Sequence, residues 1–159
     1  MEYKALLATM QDLHRIEKLF EDVCKSQETE KYSAKWVYGV YPSKDDFMEY
    51  IDNKNLYLLL EDHVLVGSFT ITKEEKAYAL HLFTIHPEYR GRGLALEGLN
   101  KIFEIVKELG GTKLQLDVIK GNLPAENLYL KAGFEYLCEK EVFYEDTGRL
   151  DMKFFERIL

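Results

Sequence analysis

Cysteine is scarce in this sequence. Cys24 and Cys138 stand alone and far apart, which excludes a disulfide framework and any cysteine-based metal site. Two isolated thiols fit a reducing compartment, and neither sits in a motif that suggests an acyl-enzyme nucleophile. Long apolar runs are missing as well. No stretch approaches the roughly 18 apolar residues of a membrane span, and the start, "MEYKALLATM", has no charged segment leading into an apolar one. The expected location is the cytoplasm, with no membrane partner. Positive charge is in deficit: 21 basic residues against 28 acidic ones leave a net charge of −7. Without a basic patch this argues against nucleic acid as a partner, and it mildly suits a cationic acceptor. Proline is rare too, at three residues, and 47% of the chain is apolar, so a disordered or fibrous chain is excluded. The 159 residues suffice for a buried core, and no repeat, linker or low-complexity tract divides them. Residues 1–159 are read as a single domain.

The periodicities predict an α/β chain with a mixed sheet. "EYKALLAT" reads as a strand, and Leu13, Ile16, Leu19, Phe20 and Val23 mark a helix at 3.6-residue spacing. An aromatic, Gly- and Pro-punctuated loop follows, then a short helix signalled by Ser43 with Asp46 three residues on. Residues 55–75 read as two strands around Asp62-His63, and "KAYALHLFTI" as a third. Leu99, Ile102, Phe103, Val106 and Leu109 form a helical stripe stopped at Gly110 or Gly111. "TKLQLDVI" alternates as a strand, "LPAENLYLKAG" is a helix ended by Gly133, and two strands around Asp146-Thr147-Gly148 close the chain. The order is β-α-α-β-β-β-α-β-α-β-β.

One junction calls for a specific chemistry. In "FTIHPEYRGRGLALEGL" a strand passes through Arg90, Gly91, Arg92 and Gly93 into a helix. A helix N-terminus carries unpaired N–H groups and partial positive charge, glycines let a backbone approach a phosphate, and arginines add charge-assisted contacts. A Walker loop fails because no lysine and hydroxyl follow the glycines, and a Rossmann fingerprint fails because position 96 is Leu. Arg90-Gly91-Arg92-Gly93-Leu94-Ala95 instead fits the pyrophosphate loop R/Q-x-x-G-x-G/A.

In this loop the sequence resembles the GCN5-related N-acetyltransferase family. Pro87, Tyr89 and Arg90 fit the family's "V-x-P-x-Y-R", and "NLPAENLYLKAGF" fits its "N-x-x-A-x-x-L-Y-x-K-x-G-F" about thirty residues later. The resemblance implies the family's fold, a mixed sheet that splays where the pantetheine of coenzyme A inserts. It also implies acetyl transfer from acetyl-CoA to an amine by direct attack in a ternary complex, without a metal. Carried over by position, the amides of Arg90, Gly91, Arg92, Gly93, Leu94 and Ala95 hold the pyrophosphate. Phe83, Thr84 and Ile85 pair with the pantetheine arm, with the Phe83 amide polarising the thioester carbonyl. Asn122 touches the pantetheine, and Tyr129 is the acid that protonates the departing thiolate.

The base does not carry over. Some members place a glutamate four residues before the oxyanion-hole position, where this chain has Ala79. Strict alternation puts His81 on the face of Ala79 and Phe83, which makes it the candidate base, whereas His86 points the other way and reads as structural. Trp36, Tyr38 and Tyr41 on one side and Tyr144, Glu145 and Asp146 on the other are the candidate acceptor walls, suited to an alkyl or aryl ammonium. The expected partners are a small-molecule or peptide amine, with a homodimer left open, as is another short acyl group as donor. The alternative of a different class is a non-catalytic CoA-binding or sensing module, which the missing strand carboxylate favours and Tyr129 opposes.

Overall fold

The computed structural model describes residues 2–144 and 147–159. These form one seven-stranded sheet in the order β1-β2-β3-β4-β5-β7-β6. The strands are β1 (Tyr3–Leu7), β2 (Leu56–Glu61), β3 (Val64–Lys73), β4 (Tyr78–Ile85), β5 (Lys113–Ile119), β6 (Glu135–Tyr144) and β7 (Gly148–Ile158). The helices are α1 (Leu13–Ser26), α2 (Lys44–Asp52), α3 (Leu94–Glu108) and α4 (Leu123–Lys131). The element order is the one the periodicities predict.

Local chemistry explains the boundaries. A 3-10 turn, Met10–Asp12, leads into α1. Ser43 and Asp46 form the capping box that starts α2: the Asp46 amide donates to Ser43 Oγ (3.2 Å) and the Ser43 amide to Asp46 Oδ2 (2.8 Å). Asp62 and His63 both take positive φ, at 47° and 73°, as a two-residue hairpin turn with the twist of its strands requires.

The helices cover the two faces of the sheet, and β2 shows why. Its alternation sends Leu58 and Leu60 to a core with Ile16, Phe20 and Val23 of α1 and Phe47 of α2, and Leu59 to a core with Leu99, Ile102 and Val106 of α3. Phe20, Phe47 and Phe69 are fully enclosed, each worth roughly 1.5–3 kcal/mol of burial.

Two irregularities in β4 create the site. It is parallel to β5 but pairs with it only at Tyr78↔Leu114 and Ala79↔Gln115, so the two strands part beyond that point. Against β3 its register shifts between Ser68 and Thr70, where Leu82 takes φ +49°. This bulge breaks the alternation: Leu80 and Ile85 belong to the α3 core, Leu82 to the α1–α2 core, and Phe83 packs against the α3 side. His81, next to Tyr50 of α2, therefore lies on the opposite face from Phe83. The expectation of a shared face fails because a bulge adds one residue to the count.

Gly67 lies opposite this segment. A Cβ there would sit 2.5 Å from the Thr84 carbonyl oxygen and 2.9 Å from Ile85 Cδ1. Gly67→Ala is expected to cost about 1–3 kcal/mol by overpacking, and to lower the melting temperature by roughly 2–4 °C for each of those kcal/mol. An unchanged melting curve would mean that β3 and β4 can separate without cost.

Candidate active site

The phosphate-loop residues form a tight connection between β4 and α3. A 3-10 turn, Pro87–Tyr89, is anchored by His86, whose Nδ1 accepts from the Glu88 amide (3.1 Å) and whose Nε2 lies 3.0 Å from Asp22 Oδ2. His86 is structural, as its place before Pro87 suggests. Gly91 and Gly93 take φ +79° and +78°, which only glycine adopts without strain, and a Cβ on either would meet nothing within 4 Å. The amides of Gly91, Arg92, Gly93, Leu94, Ala95 and Leu96 donate to no acceptor among the described residues, and the first turn of α3 supplies its dipole behind them. Free amides, open space and a helix N-terminus make a backbone cradle that an anion would fit.

The arginines behave differently from the sequence expectation. Arg90 donates from Nε to the Ile85 carbonyl (3.0 Å) and from a terminal nitrogen to Glu30 (2.7 Å). Arg92 donates to both oxygens of Glu61, at 2.8 and 3.0 Å. Both guanidiniums are already engaged, so a phosphate must compete with carboxylates for them. Those partners lie 60 and 31 residues away in the chain, where no local pattern links them.

Two cavities open where β4 and β5 part. The smaller, about 470 Å³, runs from Glu30 and Arg90 past Thr84, Asn122 and Leu128. The larger, about 560 Å³, lies between Tyr41, His81 and Asp117 and Tyr129, Tyr144 and Thr147. Ala34, Trp36, Phe83 and Ala125 belong to the walls of both. Trp36 is fixed at this junction by Gln27, the residue that follows α1, whose side chain donates to the Trp36 carbonyl (2.8 Å) and accepts from its amide (3.2 Å). Ile85 faces the core and Leu94 is buried, so those two and Ala95 offer only backbone to a ligand.

Of the acceptor-wall residues, Trp36, Tyr41 and Tyr144 line the larger cavity. Tyr38 lines neither cavity; it turns to α1, beside Glu17, Glu21 and Cys24. Glu145, with Asp146, lies outside the described residues. Tyr41 shares a hydrogen bond with the Tyr50 hydroxyl (3.1 Å).

The ionisable groups of the larger cavity divide by environment. Tyr129 is half-buried, edge-on to Phe134 at 5.5 Å, and its hydroxyl has no partner among the described residues. Burial, aided by the charge of Asp117, raises its pKa, so the phenol keeps its proton. His81 Nε2 lies 2.9 Å from Thr72 Oγ1, leaving Nδ1 for another partner. Burial lowers the His81 pKa, opposed by Asp117 and Glu74, so the imidazole is held neutral as a proton acceptor must be. Asp117 is exposed where it opens on the cavity, and partial desolvation by the surrounding walls holds the carboxyl above the usual range, with His81 opposing the shift. Sequence reasoning missed Asp117. Its signal was a carboxylate in the middle of "KLQLDVI", out of phase with the buried Leu114, Leu116 and Val118.

Residues 11–134 match the acetyltransferase (GNAT) family. A candidate ribosomal protein bS18-alanine N-acetyltransferase of Bacillus subtilis (strain 168) is 30% identical over 124 residues, covering 76% of this chain and 78% of that protein. The thialysine N-epsilon-acetyltransferase of Bos taurus is 31% identical over 74 residues, 46% of this chain and 43% of that one. Among solved structures, a GNAT-family acetyltransferase from Streptococcus agalactiae 2603 superposes with a TM-score of 0.81 at 20% identity, over 99% of this chain and 95% of that one. The candidate acetyltransferase yncA from Salmonella typhimurium, solved with its cofactor acetyl-CoA, gives 0.77 at 15% identity, over 100% and 95% of the two chains. At such identities the superpositions establish the fold.

Proposed function

The chain belongs to the acetyltransferase (GNAT) family, and from that premise we propose that its single domain moves an acetyl group from acetyl-CoA to the primary amine of an acceptor while both are bound. The observation that carries this reading is the common wall of the two cavities at Phe83, with the free-amide loop at the far end of one and Tyr129, His81 and Asp117 in the other. The open space over Gly91 and Gly93 fits a pyrophosphate, and Thr84, Asn122 and Leu128 fit the arm that leads inward.

When bound, acetyl-CoA supplies a thioester whose carbonyl carbon an amine can attack. The Phe83 amide polarises that carbonyl. His81, neutral and open at Nδ1, takes the proton that the acceptor ammonium must lose before its nitrogen can attack. Tyr129 returns a proton to the leaving sulfur. The two curated relatives are both named for acetylating amines, one on a protein alanine and one on thialysine, which supports an amine as acceptor.

The test is incubation with isotopically labelled acetyl-CoA and a panel of arylalkylamines, polyamines, amino acids and peptides, followed by mass spectrometry. Label is expected on an amine and not on the protein. Tight CoA binding with no acetylated product across the panel would favour the sensing module. The loop arginines give a second check. Because Arg90 must leave or share Glu30, Arg90→Ala is expected to weaken CoA relative to pantetheine by only about tenfold, roughly 1.4 kcal/mol. Equal losses for both ligands in calorimetry would assign Arg90 to packing.

A further inference from the structure

We propose that Asp117 selects the acceptor: the larger cavity takes a small primary ammonium on an apolar or aromatic body, with the ammonium against the Asp117 carboxylate and the body among the surrounding rings. This rests on the acetyl-transfer reading above and names its substrate class.

The first observation is that Asp117 has no ion-pair or hydrogen-bonding side chain among the described residues; only its own backbone amide faces it. The chain's more buried carboxylates, by contrast, are paired. Glu61 holds Arg92, Glu126 holds Lys153 at 2.8 Å and the Gly121 amide at 2.9 Å, and Glu30 holds Arg90. A carboxylate left without a counter-charge in a partly desolvated wall is costly, and a cation arriving there offsets that cost and favours the ionised form.

The second is position. Ala79 and Gln115 are the last paired residues of β4 and β5, so His81 and Asp117, each two residues further on, face the same side across the widening gap. An ammonium held by Asp117 is therefore beside the imidazole that takes its proton and close to Tyr129, whose hydroxyl feels the same carboxylate.

The third is the rest of the wall. Trp36, Tyr41, Tyr129 and Tyr144 supply ring faces and edges, and Leu80, Leu116 and Met152 supply apolar surface. Ring faces add cation–π attraction to the ammonium and apolar contact to its carrier. Besides the tyrosines, the other ionisable groups in the described lining are His81 and the exposed Lys35. Among the described lining residues a polyamine's second ammonium finds no second carboxylate, and the α-carboxylate of a free amino acid would lie next to Asp117. The volume, about 560 Å³, suits a single small molecule.

The experiment is calorimetry on the full chain saturated with CoA, titrated with 2-phenylethylamine, its neutral analogue 2-phenylethanol, phenylalanine, spermidine and an alanine-initiated peptide. The amine should bind most tightly. Asp117→Asn should weaken it about ten- to a hundredfold, with 2-phenylethanol and CoA affinity unchanged. Asp117→Ser should do the same, and its intact CoA affinity would show that the fold survives. In turnover of 2-phenylethylamine the loss should appear in KM. Equal binding of the amine by parent and both variants overturns the inference, as does a parent that prefers phenylalanine, spermidine or the peptide. A parent that binds CoA and acetylates only peptides overturns this inference and leaves the acetyltransferase reading standing, whereas a parent that binds no CoA overturns both.

Discussion

Tyr129→Phe is expected to lower turnover by about a hundredfold and to leave CoA affinity unchanged. The substitution keeps the ring that packs edge-on to Phe134 and removes only the hydroxyl, which has no partner among the described residues, so the helix loses no contact. The direction of the pKa shift suits the proposed role. Burial and the Asp117 charge raise the phenol, so it keeps its proton at physiological pH and is suited to donate rather than to act as a base. The same shift limits the gain. Proton transfer from a phenol this weak to a thiolate of ordinary acidity, near pKa 8.5, runs uphill until carbon–sulfur cleavage is well advanced, which places the effect at the low end of the usual 10²–10⁴-fold range. The loss belongs in kcat, because the proton matters only during the reaction. Thioesters of more acidic thiols should narrow the gap between parent and variant. Parental turnover in the variant, with chemistry rate-limiting, would leave the hydroxyl only a binding role.

Gly93→Glu is expected to reduce acetyl-CoA affinity by more than about a hundredfold, roughly 3 kcal/mol, without unfolding the chain. Gly93 has φ +78°, so any side chain pays about 1–2 kcal/mol of backbone strain, but a Cβ there meets nothing within 4 Å. The space that a glutamate would fill is the space over the free amides, and its charge would repel a phosphate bound there as proposed. Calorimetry beside a melting curve separates the two effects. Undiminished affinity in a folded variant would move the pyrophosphate off this loop.

Features that arise from neighbours in sequence were legible before the structure. The stripes of α1 and α3, the Ser43–Asp46 capping box, the Asp62-His63 turn and the strand–glycine–helix junction each depend on residues a few positions apart, and each is present. What the sequence did not disclose depends on tertiary partners. The bulge at Leu82 answers to the pairing of β3 with β4, so counting by twos put His81 on the wrong face. Arg92 and Glu61 meet because the hairpin end of β2 reaches the phosphate loop. Tyr38 turns to α1 although its neighbours Trp36 and Tyr41 line the cavity. Asp117 looked like an outward residue of an alternating strand because the parting of β4 and β5, which turns that face into a cavity wall, leaves no mark in the pattern.

The donor is expected to lie across both cavities with its reactive carbon at the wall they share. A crystal structure of the acetyl-CoA complex would show that placement. The pyrophosphate should rest on the amides from Gly91 to Leu96, and the thioester oxygen should lie about 2.7–3.2 Å from the Phe83 amide nitrogen, with the sulfur in reach of Tyr129. A complex with the pyrophosphate away from this loop, or the acetyl group away from Phe83, would rule that placement out.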